Sequence, residues 1–327
     1  MISVSLFQVP NEQNLANQLY KAGFLPGPGK CSCESESFSI QIDNSNFTSG
    51  MCFRCTNNKC RKKFSIRINS LYAKFPQIKL RDLTEIINCF ICLEFNTKKA
   101  FTYLKENKNV NISKNTISKI YKEFRNIIYQ YMKIVYNSEV ISTENNNDYF
   151  AVDESLINHI NNKQVWLLGI INNNTKDFRI EGAYNRDTNT LSNFISTYVE
   201  KGNVIISDGW QGYNYLNSPD SGYQHLTFTH INGIFGQGIQ STSHIEAIWG
   251  IIKSKIKSIY NVIPHKNFMK FVREAEYRYK VKDKTGMDKI KEFFDCYRLT
   301  ENVSDVKFPN VGFISSSDED NSEDLED

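Results

Sequence analysis

The sequence predicts an α/β protein in which a mixed-sheet domain follows a small cysteine-rich ribbon and a helical segment. Three observations support this fold class. Five of the eight cysteines lie between Cys31 and Cys60, among short stretches with the two-residue alternation of strands. Apolar residues then recur with helical spacing from Leu80 to about Val140. From Tyr149 onward, apolar strands alternate with helices, which is typical of a mixed α/β layer.

Composition and charge indicate a globular body with a basic balance and an acidic end. The 327 residues are enough for two or three domains. Net charge is +3, but Ser315–Asp327 holds seven acids and no base, and Asp305 lies just upstream. Without these eight acids the remainder would carry about +11, a balance suited to a polyanion. Residues 301–327 predict a disordered acidic tail, because the segment cannot bury enough apolar surface to fold.

The N-terminal segment and the lack of long apolar runs indicate where in the cell the protein is expected. Residues 1–29 end in the turn-rich Pro26–Gly29, which marks a boundary. No stretch approaches the ~18 continuous apolar residues that span a membrane, and the N-terminus lacks a basic segment followed by an apolar one. We expect an intracellular protein, nuclear in a eukaryote and cytoplasmic otherwise, with no membrane partner.

The cysteine-rich segment, residues 30–75, predicts a zinc ribbon with short strands such as Phe38–Ile42 and Phe64–Ile68. The candidate ligands form two pairs: Cys31 with Cys33, and Cys55 with Cys60. Four thiolates hold Zn²⁺ in a tetrahedron, and clustering in a large intracellular chain favours metal binding over disulfides. Both pairs depart from the commoner two-residue gap, so Cys52 is an alternative ligand. We interpret the remaining cysteines as ordinary thiols: Cys89, Cys92 and Cys296.

Residues 76–144 predict three helices, over Leu83–Ile91, Ala100–Leu104 and Thr116–Val135. The second and third predict a helix-turn-helix that binds DNA. In the third, Ser113 is a candidate N-cap. Basic and amide side chains on its polar face would contact phosphates and base edges: Lys114, Asn115, Lys119, Lys122 and Arg125. A solvated basic surface is the alternative interpretation.

Residues 145–300 predict the mixed-sheet domain. Three strands follow one another and predict an antiparallel meander: Tyr149–Val152, Gln164–Ile171 and Phe178–Ala183. A helix over Asn189–Lys201 leads to a buried-type strand at Asn203–Ser207, and helices resume after Ser243. This alternation indicates a mixed sheet with helices on it.

Three acids stand where they can converge in this domain. Asp153 follows one apolar strand, Asp208 follows another, and Glu246 lies on the polar side of an apolar helix. Mg²⁺ and Mn²⁺ prefer carboxylates, and a pair of such ions assists in-line displacement at a phosphodiester. Each acid alone would be interpreted as a turn or helix-surface residue, so the prediction rests on the set.

The sequence resembles the Merlin superfamily of eukaryotic DNA transposons and its bacterial insertion-sequence relatives over roughly residues 30–295. The resemblance lies in the order and spacing of five motifs: Ala151–Ser155, Val165–Gly169, Arg186 with Thr190 and Leu191, Ile206–Tyr213, and His244–Gly250 followed by Lys253. The 38 positions from Asp208 to Glu246 are similar to the separation in that group. The resemblance implies a ribonuclease H-like fold with an acid (DDE) triad.

The resemblance also implies a function, a DNA transposase that cleaves element ends and joins the 3′-hydroxyls to target DNA. Asp153 would bridge two Mg²⁺ or Mn²⁺ ions, Asp208 would help to hold one, and Glu246 would complete the other. His230 resembles a family histidine that would contact a DNA phosphate. The expected partners are double-stranded DNA and a second copy of the chain, with zinc as a structural cofactor. Relatives often carry asparagine where this chain has Ser243.

Two other function classes stay open. A domesticated, catalytically silent DNA-binding or chromatin protein would share the fold, and the intact acid triad argues against it. A ribonuclease H-like nuclease acting on RNA–DNA hybrids or junctions would share the acids, but it would not need the ribbon or the helix-turn-helix. Strand-transfer activity separates these classes.

Overall fold

The computed structural model describes residues 11–44, 50–138, 140–141, 143, 148–160, 163–228, 236–237, 239–259 and 268–301. The chain divides into two compact units, Met1–Ile127 with Val281–Asn302, and Ile128–Lys280 with Val303–Asp327. The predicted acidic tail lies outside the described residues beyond Glu301. None of the described helices is long and apolar enough to cross a membrane.

The first unit begins with a helix and a three-stranded antiparallel ribbon in the order β1-β2-β3: α1 (Glu12–Lys21), β1 (Phe38–Ile42), β2 (Met51–Cys55) and β3 (Lys63–Ser65). The strand predicted over Phe64–Ile68 ends early, at Ser65. The reason is Arg67, whose buried guanidinium donates to the carbonyls of Tyr72, Phe75 and Ile78. The chain therefore turns away from the ribbon at Arg67.

Helices complete the first unit: α2 (Leu80–Ile91), α3 (Thr97–Asn107), α4 (Lys114–Ser138), which continues into the second unit, and α8 (Gly286–Glu301). The three predicted helices are present. The sequence assigned residues up to 300 to the mixed-sheet domain, whereas α8 belongs to the first unit. Its aromatic face explains this, because Phe293 packs on Phe124 at 5.3 Å and Phe294 on Phe24 at 4.5 Å between ring centroids.

The second unit contains a five-stranded sheet in the order β6-β5-β4-β7-β8. Its strands are β4 (Tyr149–Ile160), β5 (Lys163–Asn172), β6 (Phe178–Ala183), β7 (Val204–Ser207) and β8 (Gln224–Thr227). The first three form the predicted antiparallel meander, while β7 pairs parallel with both β4 and β8. This order and mixture of directions is the ribonuclease H-like arrangement, so the predicted fold class is confirmed.

Helices and a short hairpin surround this sheet: α5 (Thr188–Tyr198), β9 (Gly236–Gln237), β10 (Gln240–Ser241), α6 (Ser243–Ile259) and α7 (Phe268–Lys280). The core lies between α6, α7 and one face of the sheet. Ala151 on β4 and Leu167 on β5 pack there with Ile245 and Ile252 of α6 and Val272 of α7. Because side chains alternate along a strand, Asp153 shares the face of Ala151 and lies beneath α6.

Candidate active site and cysteine cluster

Asp153 and Asp208 lie where the parallel β4–β7 ladder ends. Its last pair is Ala151 and Ile206, and each aspartate follows two residues later in the chain. Asp153 was predicted to follow a strand that ends at Val152, but β4 continues past it to Ile160, paired with β5, whereas Asp208 comes directly after the last residue of β7. Parallel strands keep their register, so the two side chains leave the sheet at the same level. The backbone N–H of Trp210 donates to Asp208 Oδ1 at 2.9 Å, which holds this carboxylate in a tight turn.

Glu246 reaches the same place from the first turn of α6. Trp249, one turn further along the helix, donates from Nε1 to Asp153 Oδ2 at 2.9 Å. Residues three apart share a helix face, so this hydrogen bond brings Glu246 over the two aspartates. Thr242 Oγ1 donates to Glu246 Oε1 at 3.0 Å and fixes that side chain.

Gly169 makes this approach of α6 possible. It stands opposite Asp153 on β5, and a Cβ there would lie 2.5 Å from Trp249 Cζ2 and 2.8 Å from Ile245 Cδ1. Any side chain would push the indole away from the sheet. The glycine therefore sets the distance between the helix that carries Glu246 and the strand that carries Asp153.

The three carboxylates interact electrostatically. Burial raises the pKa of Asp153 to about 6; the Trp249 hydrogen bond opposes the rise, and the charges of Asp208 and Glu246 add to it. Such mutual repulsion is relieved by a cation. Among the described residues, only four cysteines have ligand atoms that all lie within 4.8 Å of one another. In the part of the chain that the structure describes, the three acids do not form such a single cluster, and two ions that share Asp153 would not require one.

Residues 153–280 match the family model of the ISXO2-like transposase domain. This segment is similar to an insertion-sequence-type transposase domain. The match begins at Asp153 and contains Asp208 and Glu246. It confirms the insertion-sequence side of the resemblance drawn from the motifs. No curated protein matches the chain significantly.

Three solved structures show more distant likeness to the chain. An intasome of simian T-cell lymphotropic virus in complex with PP2A regulatory subunit B56 gamma has 13% identity and a TM-score of 0.31, covering 40% of this chain and 48% of that one. The HTLV-2 integrase catalytic core with magnesium, in a trimeric form, has 12% identity and a TM-score of 0.25, covering 45% and 82%. The BIV integrase catalytic core has 13% identity and a TM-score of 0.31, and the match covers 47% of this chain and 98% of that one. The chain thus spans about half of the intasome chain.

Glu154, the residue after the first aspartate on β4, is buried and has partners of its own. Its side chain is 1% exposed and forms a 3.7 Å ion pair with Arg186. Burial raises the pKa of Glu154 to about 7, with contributions from Asp208 and Asp153, while a hydrogen bond with Tyr213 and the charge of Arg186 oppose the rise. The motifs contained Arg186 and Tyr213, but only the fold shows what they contact.

The candidate histidines have different positions. His230 lies outside the described residues. His225 Nε2 lies 2.8 Å from Ser207 Oγ, and its Nδ1 lies 2.8 Å from Asn217 Oδ1, which ties β8 to the end of β7. His244 Nε2 lies 3.0 Å from Lys176 Nζ. His225 and His244 thus contact residues next to the strands and helix that carry the acids.

We expect Asp153→Asn to stabilise the metal-free protein by about 1–2 kcal/mol at neutral pH. This is less than the free energy that corresponds to the full rise in the pKa of Asp153, because solvent partly screens the carboxylate. A raised carboxyl pKa makes stability highest below the unfolded pKa of about 4. That stability is lost as pH rises through the folded pKa of about 6. The gain over wild type should therefore be about 1 kcal/mol larger near pH 8 than near pH 5.

Urea unfolding in a chelator at both pH values measures this difference. Asp220→Asn is the matched control, because Asp220 is exposed on a turn of the same unit. An equal gain from Asp153→Asn at the two pH values would contradict the assignment of a strained carboxylate.

The cysteine cluster lies in the first unit and has the composition of a zinc ribbon. The Sγ atoms pair at 3.6 Å, Cys31 with Cys60 and Cys33 with Cys55, and all four lie within 4.8 Å of one another. Zn–S bonds of about 2.3 Å give tetrahedral S–S edges of about 3.8 Å, which these spacings fit. Cys52, the alternative ligand, is outside the group. It is three residues from Cys55 on β2, so the two side chains leave opposite faces of the strand.

The predicted recognition helix is the start of α4. Ser113 Oγ accepts from the N–H of Thr116 at 3.1 Å and caps the helix as predicted. The four residues Lys114, Asn115, Lys119 and Lys122 are exposed, whereas Arg125 is half-buried. Ile117 and Phe124 are fully buried on the opposite face. The helix thus presents a basic surface, and contact with DNA remains a prediction.

Proposed function

We propose that the chain is a DNA transposase whose Asp153, Asp208 and Glu246 hold the divalent cations used to cleave and join DNA. The observation that carries this proposal is the register of β4 and β7. It sets the two aspartates side by side, beneath a helix whose Trp249 binds Asp153 and whose Glu246 lies one turn away. The match of this segment to a transposase domain supports the same chemistry.

Each residue has a distinct task in this proposal. Bound Mg²⁺ or Mn²⁺ would activate the attacking oxygen and stabilise the leaving oxygen of a phosphodiester. Asp153, whose carboxylate interacts with both Asp208 and Glu246, would be the ligand that the ions share, and its hydrogen bond from Trp249 keeps the carboxylate in one orientation. Asp208 is oriented by the N–H of Trp210 and Glu246 by the hydroxyl of Thr242. The protein forms no covalent bond to DNA.

The remaining parts of the chain would bind DNA and zinc. The exposed basic face of α4 suits phosphate contacts, and the four-cysteine cluster suits one structural Zn²⁺. Joining two element ends to one target requires two active sites, so we propose a dimer or larger assembly on double-stranded DNA. A DNA substrate places the protein in the nucleus of a eukaryote or in the cytoplasm otherwise.

Incubation with DNA that carries the element's own ends tests the function. Wild type should give Mg²⁺- or Mn²⁺-dependent cleaved strands and joined products. Asp208→Ala and Glu246→Ala should each lower both products by at least about 1,000-fold, because each removes a ligand for the cations. Asp220→Ala, an exposed acid in the same unit, should remain active.

The products separate the function classes. Joined strands establish a transposase. Cleavage without joining, strongest on RNA–DNA hybrids, would indicate a different ribonuclease H-like nuclease. Tight DNA binding with no metal-dependent product from wild type would indicate a silent DNA-binding protein.

A further inference from the structure

Trp166 and Trp210 both contact the guanidinium of Arg186. The Cζ of Arg186 lies 4.2 Å from the ring centre of Trp166 and 3.9 Å from that of Trp210. Both distances are well inside the ~6 Å range of cation–π contacts. Three flat groups thus form one continuous stack, and both indoles are only partly buried.

The stack forms part of the wall of an open cavity of about 570 Å³. This volume lies within the ~300–1,000 Å³ of small-ligand sites. Four amide side chains complete the lining: Gln164, Asn185, Gln211 and Asn214. Indoles offer faces on which a flat ring stacks, and amides pair with the donor and acceptor edges of nucleobases.

Two contacts link residues that line the cavity to the aspartates or their neighbours. Trp210 follows Asp208 by two residues, and its N–H donates to that carboxylate. Arg186 is paired with Glu154, the neighbour of Asp153. The lining of the cavity is thus linked to both aspartates through neighbouring residues.

We propose that this cavity takes one unstacked base of the substrate DNA, which extends the Trp166–Arg186–Trp210 stack while the adjoining phosphodiester lies at the acids. The inference rests on the proposed function. Duplex bases are stacked on their neighbours, and an enzyme that holds one outside the helix must replace that stacking. Aromatic planes supply the replacement for any base, and the amides add preference among bases.

Tryptophan fluorescence tests the cavity without catalysis. Two of the three tryptophans line it, and the third, Trp249, is buried beneath the sheet's covering helix. In a chelator, wild type is titrated with a short oligothymidylate and with an abasic oligonucleotide of the same length. We expect about 10-fold tighter binding of the oligothymidylate, the scale of one base stacked on an aromatic side chain.

Trp166→Leu keeps Trp210 as the reporter and should abolish this preference while leaving the affinity for the abasic strand unchanged. Tyr223→Leu, a half-buried aromatic of the same unit outside the cavity, is the matched control and should keep it. Equal affinity of wild type for the two strands would overturn the inference, and so would a preference that survives in Trp166→Leu. Displacement by equimolar free thymidine monophosphate would also overturn it, since the site would then bind free nucleotides.

The outcome is separable from that of the proposed function. Wild type that cleaves DNA but shows no preference for bases refutes only the cavity. A base preference that depends on Trp166, in a protein without metal-dependent cleavage, refutes only the catalytic proposal.

Discussion

Cys33→Ser should remove zinc from the protein and unfold the ribbon, the largest change in stability that we expect from a single substitution. Four thiolates at tetrahedral spacing are the main link between the loops around Cys31 and Cys60. Structural zinc contributes about 10–16 kcal/mol in small domains, and that binding energy is folding energy. Metal analysis should find one zinc per wild-type chain and none in the variant. Hydrogen exchange should become fast over residues 31–65 and stay slow over β4 and β5.

Cys52→Ala is the control for this experiment. Cys52 is fully buried on β2 but lies outside the four-thiol group. Its removal should cost packing energy and leave zinc in place. Loss of zinc from Cys52→Ala together with its retention by Cys33→Ser would instead establish Cys52 as a ligand.

Arg273→Met should lower the free energy of unfolding of the second unit by about 3–5 kcal/mol. Arg273 on α7 is 1% exposed and donates to Glu181 at 2.8 Å and to Glu276 at 3.0 Å. Its guanidinium also lies 3.9 Å from the ring centre of Tyr136. Removing the cation leaves two buried carboxylates without their shared partner, and this costs more than the lost contacts themselves.

Urea unfolding measures the effect, with Lys257→Met as the matched control. Lys257 is exposed on α6, so its loss should stay within about 0.5 kcal/mol. Adding Glu181→Gln and Glu276→Gln to Arg273→Met should recover much of the stability, since no buried charge is then left over. A small effect of Arg273→Met, similar to that of Lys257→Met, would refute this account of the buried network.

The strands and the acids were predictable because each depends on local pattern. An apolar run that ends at a polar residue defines β7, whereas β4 continues past Asp153 to Ile160 because β5 pairs with it there. The parallel register of β4 and β7 then brings Asp153 near Asp208. Ser113 was predictable as a cap because its chemistry acts only three residues along the chain. The cysteine pairs were visible from spacing, although the exclusion of Cys52 required the register of β2.

Contacts between distant segments could not be predicted in this way. Periodicity shows that α8 has an aromatic face, but it does not say which helices cover that face. The sequence does not predict that Trp249 packs against Gly169, because the two residues lie on different elements. It also does not predict that Arg186 contacts Trp166 and Trp210. Arg67 continues an alternating strand pattern, yet its side chain ends the strand by binding three carbonyls. These features depend on tertiary packing, which overrides local propensity.

Cleavage by Asp208→Cys in Mg²⁺ and in Mn²⁺ tests most directly whether the acids hold the catalytic cations. A thiolate is a poor ligand for hard Mg²⁺ and a better one for Mn²⁺. We predict that Asp208→Cys loses Mg²⁺-dependent cleavage by about 100-fold or more and regains much of it in Mn²⁺, while Asp208→Ala stays inactive in both ions. Wild-type rates from Asp208→Cys in Mg²⁺ would contradict the claim that Asp208 binds the metal.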